Sequence, residues 1–172
     1  MAKQNKYDLQ HQRNINRYLQ QIDEIFREAA REAAKIGMSL TDYNPDVPFS
    51  FADYPSTLKK IERLSQTVNS NLSAIIVNGI RSEWTLANNK NNELCRQVFG
   101  DNIGRLSSAQ YRRYFNNNEK AREAFIIRKE RGLRLSDRVW NYTTQFKEEI
   151  EMGLDLGIGQ GLSADELSRE LR

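Results

Sequence analysis

Apolar positions recur in steps of three and four along most of this chain, the period of a helix that buries one face. From about Tyr7 to Met38 they are Ile15, Tyr18, Leu19, Ile22, Ile25, Phe26, Ala29, Ala30, Ala33 and Ala34. Glu24–Arg27 and Glu28–Arg31 support the outer face at helical spacing, and Gly37 reads as the stop signal. A second pattern starts near Ser56 with Leu58, Ile61, Leu64, Val68, Leu72, Ile75, Ile76 and Ile80. Its near-heptad spacing predicts coiled-coil-like pairing with the first helix, Ile61, Leu64, Val68 and Leu72 facing Ile15, Ile22 and Phe26. The pattern continues more weakly through Trp84, Leu86, Leu94 and Val98. Unbroken to Phe99, such a helix measures about 66 Å. Gly79 and the polar run Asn88–Asn92 are its weak points. An element that long exceeds a compact domain of this size, so it would project or cross into a neighbour.

Residues 39–55 contain Pro45, Pro48 and Pro55, which interrupt helix by removing a backbone donor and restricting the residue before. Phe49, Phe51 and Tyr54 are interleaved there with Asp42, Asp46 and Asp53. This is either a loop pinned by its aromatics onto the chain's own helices or an arm that docks on a partner.

Beyond Gly100 the pattern shortens. Ser107 or Ser108 caps a short helix ending near Phe115. Asn116–Asn118 is a turn, and a further helix covers roughly Glu119–Arg131. Ser136 caps a helix from Asp137 to about Leu156, with Val139, Tyr142, Phe146, Ile150 and Leu154 as its seam. Gly157–Gly161 ends it, and Ser163-Ala164-Asp165-Glu166 has the form of a capping box opening a last helix through Leu167 and Leu171. No alternating strand pattern competes. The expected fold is all-α: an elongated helical bundle with two long paired helices and a shorter C-terminal helical subregion. Residues 1–104 form the hairpin with its proline-containing loop, and 105–172 the short helices.

Composition narrows the chemistry. The chain has 172 residues with 26 Lys+Arg against 23 Asp+Glu, and its polar character implies a modest core along elongated elements. No run of 18 or more apolar residues predicts a membrane span, and the first residues lack the apolar stretch of a secretory signal. One cysteine, Cys95, and one histidine, His11, leave no material for a disulfide framework or a zinc cluster. No catalytic residue, cofactor or metal site is expected.

Charge is uneven. Residues 105–134 hold nine basic side chains against three acidic, net +6, whereas 147–172 hold three against seven, net −4. Arg112, Arg113, Arg128, Lys129, Arg131 and Arg134, beside Tyr111, Tyr114 and Phe115, can grip a phosphate backbone while tyrosine stacks on a base. The plainer reading pairs this segment with the acidic end. Other features favour plain readings. Gly157, Gly159 and Gly161 follow a helix and lack a following lysine, so they suit a helix joint rather than a phosphate loop. Glu148, Glu149 and Glu151 read as a solvated helix face. His11 is expected to be exposed and idle, and Cys95 a packing residue.

The stretch from Leu133 to Arg172 carries Arg138-Val139-Trp140, then Phe146-Lys147-Glu148-Glu149-Ile150, the glycine joint, and Ser163-Ala164-x-Glu166-Leu167-Ser168-x-x-Leu171-Arg172. It resembles the N-terminal part of phage minor head proteins of the Mu F-like head-morphogenesis family. The resemblance covers about 40 of the 172 residues; the joint followed by Ser-Ala-x-Glu-Leu is its more specific part. It implies a non-enzymatic phage or prophage virion protein at the portal vertex or capsid interior, in the virion or, during assembly, the host bacterial cytoplasm. Phage portal or capsid proteins are the implied partners, together with packaged DNA at the basic segment. No membrane is implied, and the long seam can close within one chain or in a homo-oligomer. Candidate partner contacts are Phe49, Phe51, Tyr54, Trp140 and Phe146. Family members usually continue into a larger C-terminal domain with an Arg-Thr-Glu-type segment. The chain stops before it, as a truncated or processed form or a stand-alone relative, so that domain's properties do not carry over. The alternative reading is a helical nucleic-acid-binding module built on 105–134.

Overall fold

A computed structural model of the protein describes residues 5–40, 44, 46–47 and 50–171. Six α-helices lie among them: α1 (Lys6–Met38), α2 (Pro55–Phe99), α3 (Ser108–Tyr114), α4 (Glu119–Ile127), α5 (Leu135–Gly159) and α6 (Ala164–Glu170). The fold is all-α, a helical bundle organised on the two long helices. Glu130 and Leu133 form the one isolated β-bridge among the described residues.

Helix α1 opens on Asn5, whose side chain accepts from the Tyr7 amide at 3.0 Å. Its last turn is closed by Ser39, whose hydroxyl donates to the Ile36 carbonyl at 2.7 Å. The helix ends at Met38, as expected, one residue past Gly37; Gly37 is buried in the last turn, and a Leu154 methyl fills the space where its Cβ would stand. Helix α2 begins with Pro55 at its first position, where a missing N–H costs nothing.

The long helices run antiparallel. Tyr7 Oη donates to Glu93 at 2.7 Å, Lys90 pairs with Asp8 at 2.6 Å, and the Asn14 amide donates to Glu83 at 2.7 Å. That register differs from the expected one. Ile15, Tyr18 and Ile22 share an apolar groove with Ile75, Ile76 and Ile80, while of the expected α2 seam it is Leu72 that meets Ile22 and Phe26. Ile61 sits deeper, in the core.

Neither expected weak point breaks α2. At Gly79 the missing side chain makes room for the Tyr18 ring, 3.5 Å from where a Cβ would be. In the asparagine run, Asn88 and Asn91 direct their side-chain amides to carbonyls of another segment. They therefore do not compete for the backbone of their own helix.

Ala29, Ala33 and Ala34 are buried because α1 passes between other helices at that end, and small side chains let their backbones approach. The core gathers there: Ile61, Val68 and Leu72 from α2, Val139, Phe146, Ile150 and Leu154 from α5, Leu167 from α6, and Phe51 from a 3-10 turn before α2. Residues on both sides of position 104 share this one cluster.

Three boundaries shift from expectation. Helix α5 starts at Leu135, one turn closed by the Asp137 carboxylate accepting from the Arg134 amide at 2.8 Å. It runs to Gly159, because Gly157 lies within the helix with a Leu167 methyl in its Cβ space. The turn falls at Gln160–Leu162, with Gly161 at φ +70°. Helix α4 ends at Ile127, since Glu130 and Leu133 exchange backbone hydrogen bonds of 2.9 and 3.1 Å. Arg131 and Gly132 between them have φ of 52° and 82°, as a tight two-residue hairpin turn requires.

Candidate nucleic-acid and partner interfaces

The end of the molecule away from the main core is built differently, by hydrogen bonds that α2 offers to the α3–α4 connection. Trp84, Asn88, Asn91 and Cys95 lie on one face of α2 at steps of three and four. Trp84 Nε1 and the Asn88 amide both donate to the Asn117 carbonyl, at 3.0 and 2.7 Å. Asn91 donates to the Tyr114 carbonyl at 2.9 Å, and Cys95 Sγ lies 3.8 Å from the same oxygen. The last carbonyls of a helix have no partner within it; α2 supplies one for Tyr114, at the end of α3, and also holds the Asn117 carbonyl of the turn.

Helix α3 is opened by Ser107 and Gln110, each side chain bonding the other's backbone amide. The chain then turns through Asn118, at φ +49°, into α4, whose N-terminus has no side-chain cap. Trp84 also meets Phe125 of α4, ring centres 6.3 Å apart.

Between α3 and α4 lies an open cleft of about 770 Å³ lined by Tyr111, Arg112, Phe115, Asn117, Lys120 and their neighbours. The Tyr111 and Phe115 rings stack at 4.6 Å with their planes 22° apart. Tyr111 is 46% exposed. Tyr114 is turned instead toward Phe99, at 4.9 Å.

The basic candidates divide into two groups. Arg112 and Arg113 are exposed on α3, and Arg112 Nε donates to the Ser108 carbonyl at 3.3 Å. Arg128 lies over the Phe125 ring at 4.1 Å and reaches Glu130 at 3.9 Å, while Lys129, Arg131 and Arg134 are exposed around the hairpin turn. Two of the segment's three acids are neutralised locally. Glu123 meets Arg122 at 3.0 Å and Arg81 at 3.6 Å, and Glu130 meets Arg138 at 3.0 Å. Among the described residues, Arg113, Lys120, Lys129 and Arg131 form no ion pair.

Of the partner-contact candidates, Phe49 lies outside the described residues. Phe51 and Phe146 are core residues, the latter edge-on to Phe26 at 5.4 Å. Tyr54 packs against the same core. Trp140 stands on the surface of α5, 47% exposed.

His11 is exposed but not idle: its Nδ1 lies 2.6 Å from Glu83, which also accepts from Asn14. This cluster ties α1 to α2 and was not legible in the sequence, where positions 11, 14 and 83 are merely polar. At the open end of the hairpin Glu93 is held below the usual carboxylate range, first by Lys6 and then by the Tyr7 hydroxyl, and both partners are raised in turn. At the start of α6 the Glu166 carboxylate accepts from the Ser163 hydroxyl at 2.6 Å and from its amide at 2.9 Å, which lowers its pKa. Glu148 and Glu149 are exposed. Among the described residues no three His, Cys, Asp or Glu side chains converge as metal ligands, and no helix is long and apolar enough to cross a membrane. Comparison with protein-family models, with curated proteins and with solved structures gives no match.

Proposed function

We propose that the protein is a non-enzymatic phage or prophage structural protein of head morphogenesis. It acts by helix packing at the portal vertex or on the inner face of the capsid. The observation that carries this reading is the unit from Arg138 to Leu171. Its sequence resembles the N-terminal region of Mu F-like minor head proteins, and its glycine joint, leucines and Ser-x-x-Glu box fit together within the unit. Gly157 admits Leu167, Gly153 admits Leu171, and Ser163 with Glu166 closes the start of α6. Glycines coupled to leucines in this way make a close-packed helix joint rather than a phosphate loop. Trp140, large and half in solvent on the same unit, is the side chain we assign to the portal contact.

The test is the mass of the protein in solution, by light scattering coupled to size exclusion, alone and with the portal protein of the same phage. A stable complex, weakened at least tenfold in affinity by Trp140→Ala, is the expected result. A protein that ignores portal and capsid proteins at micromolar concentration overturns the reading.

A further inference from the structure

We propose that the cleft between α3 and α4 binds a single strand of nucleic acid, Tyr111 stacking on a base and the unpaired cations holding the phosphates on either side. Four observations converge on it. The cleft is open and already contains an aromatic stack, Tyr111 on Phe115, whose tyrosine keeps nearly half its surface in solvent. A base can extend such a stack whatever its identity, because every base has a π-face. Arg112 and Lys120 line the cleft itself, from α3 and α4 respectively.

The second basic group, Lys129, Arg131 and Arg134, lies past the far end of α4. The seven residues of α4 after Lys120 set the two groups apart by about 10 Å along the helix, so a strand stacked at Tyr111 and following α4 meets both. Ion pairs remove Glu123 and Glu130 from opposition, leaving Glu119 as the acid that faces the cleft.

Rigidity is the fourth observation. The platform hangs on α2 by the Trp84, Asn88 and Asn91 hydrogen bonds, so the ring stack is positioned before any ligand arrives. The commitment to a single strand follows from the platform. In a duplex the base faces are already stacked on each other and present only their edges in the grooves.

The experiment uses the full chain and a fluorescein-labelled oligothymidylate of 15 nucleotides, read by anisotropy at several salt concentrations, beside a duplex of the same length. The expected result is tighter binding of the single strand than of the duplex. Tyr111→Ala should cost about tenfold in affinity with an unchanged salt slope, and Tyr111→Phe should restore it. Lys120→Gln should lower the salt slope by about 0.7, the value for one neutralised phosphate on a single strand. Circular dichroism of each variant confirms that the helices are intact. Equal binding of the duplex, or Tyr111→Ala binding like the parent, overturns the proposal. So does failure of the folded parent to bind at low salt. Portal binding is measured separately, so either result leaves the head-assembly reading to its own test.

Discussion

Individual positions show opposite uses of the same residue. Gly79 lies inside α2, where alanine is intrinsically better by about 1 kcal/mol, and Gly37 in the last turn of α1. At Gly79 an added Cβ meets the Tyr18 ring at ordinary contact distance, 3.5 Å. Gly79→Ala should therefore stabilise the protein by about 0.5–1 kcal/mol, read from urea midpoints. At Gly37 the Cβ space is filled by a methyl of Leu154, which is itself fully buried. Gly37→Ala should destabilise by about 1–3 kcal/mol through overpacking, despite its helix propensity. If both variants move the midpoint the same way, the close approach of α1 and α5 is wrong. Glu166 makes a residue-scale prediction in pH. Its pKa is lower in the folded state, so its contribution is present above the usual carboxylate pKa and is lost as pH falls through the folded value. Acid should loosen the start of α6 in the parent. Glu166→Gln should flatten that pH dependence, as followed by the amide resonances of residues 164–167.

At the scale of elements, α2 is a shared strut with two unlike ends. Its first half buries Ile61, Val68 and Leu72, while its second half offers hydrogen bonds to the α3–α4 connection. Truncating Asn88 and Asn91 to alanine should cost about 1 kcal/mol each. The loss should be local, faster hydrogen exchange at residues 108–127 with protection unchanged around Ile61–Leu72. Unchanged exchange at residues 108–127 would mean that α3 and α4 are held by something other than these bonds.

Across the whole molecule, the apolar core sits toward one end and the hydrogen-bonded α3–α4 platform toward the other. Stability then falls along the bundle, since elements with few buried apolar contacts open first. In a Trp140→Phe variant the remaining tryptophan, Trp84, reports on the platform. Its fluorescence should change at a lower urea concentration than far-UV circular dichroism, which follows all helices. Coincident transitions would make the chain one cooperative unit.

Helix type, helix number and the interiors of α1, α2 and α5 were legible in the sequence, because burying one face of a helix imposes a period on which residues are apolar. Capping was legible too: Ser107 and Ser163 act through atoms only a few residues away, and local geometry suffices. Tertiary structure alone decided the rest. The register of α1 against α2 depends on Tyr7, His11 and Asn14 meeting Glu93 and Glu83 from a distance along the chain that no period encodes. Gly157 looks like a stop signal until Leu167 is brought against it. The asparagines of α2 look like weak points until the carbonyls of Tyr114 and Asn117 arrive to accept from them. The basic segment was visible as charge, but its division into two groups around an aromatic cleft follows from the turn at Asn118 and the anchoring on α2. Periodicity reports that a face is buried, while the identity of what buries it is a property of the assembled chain.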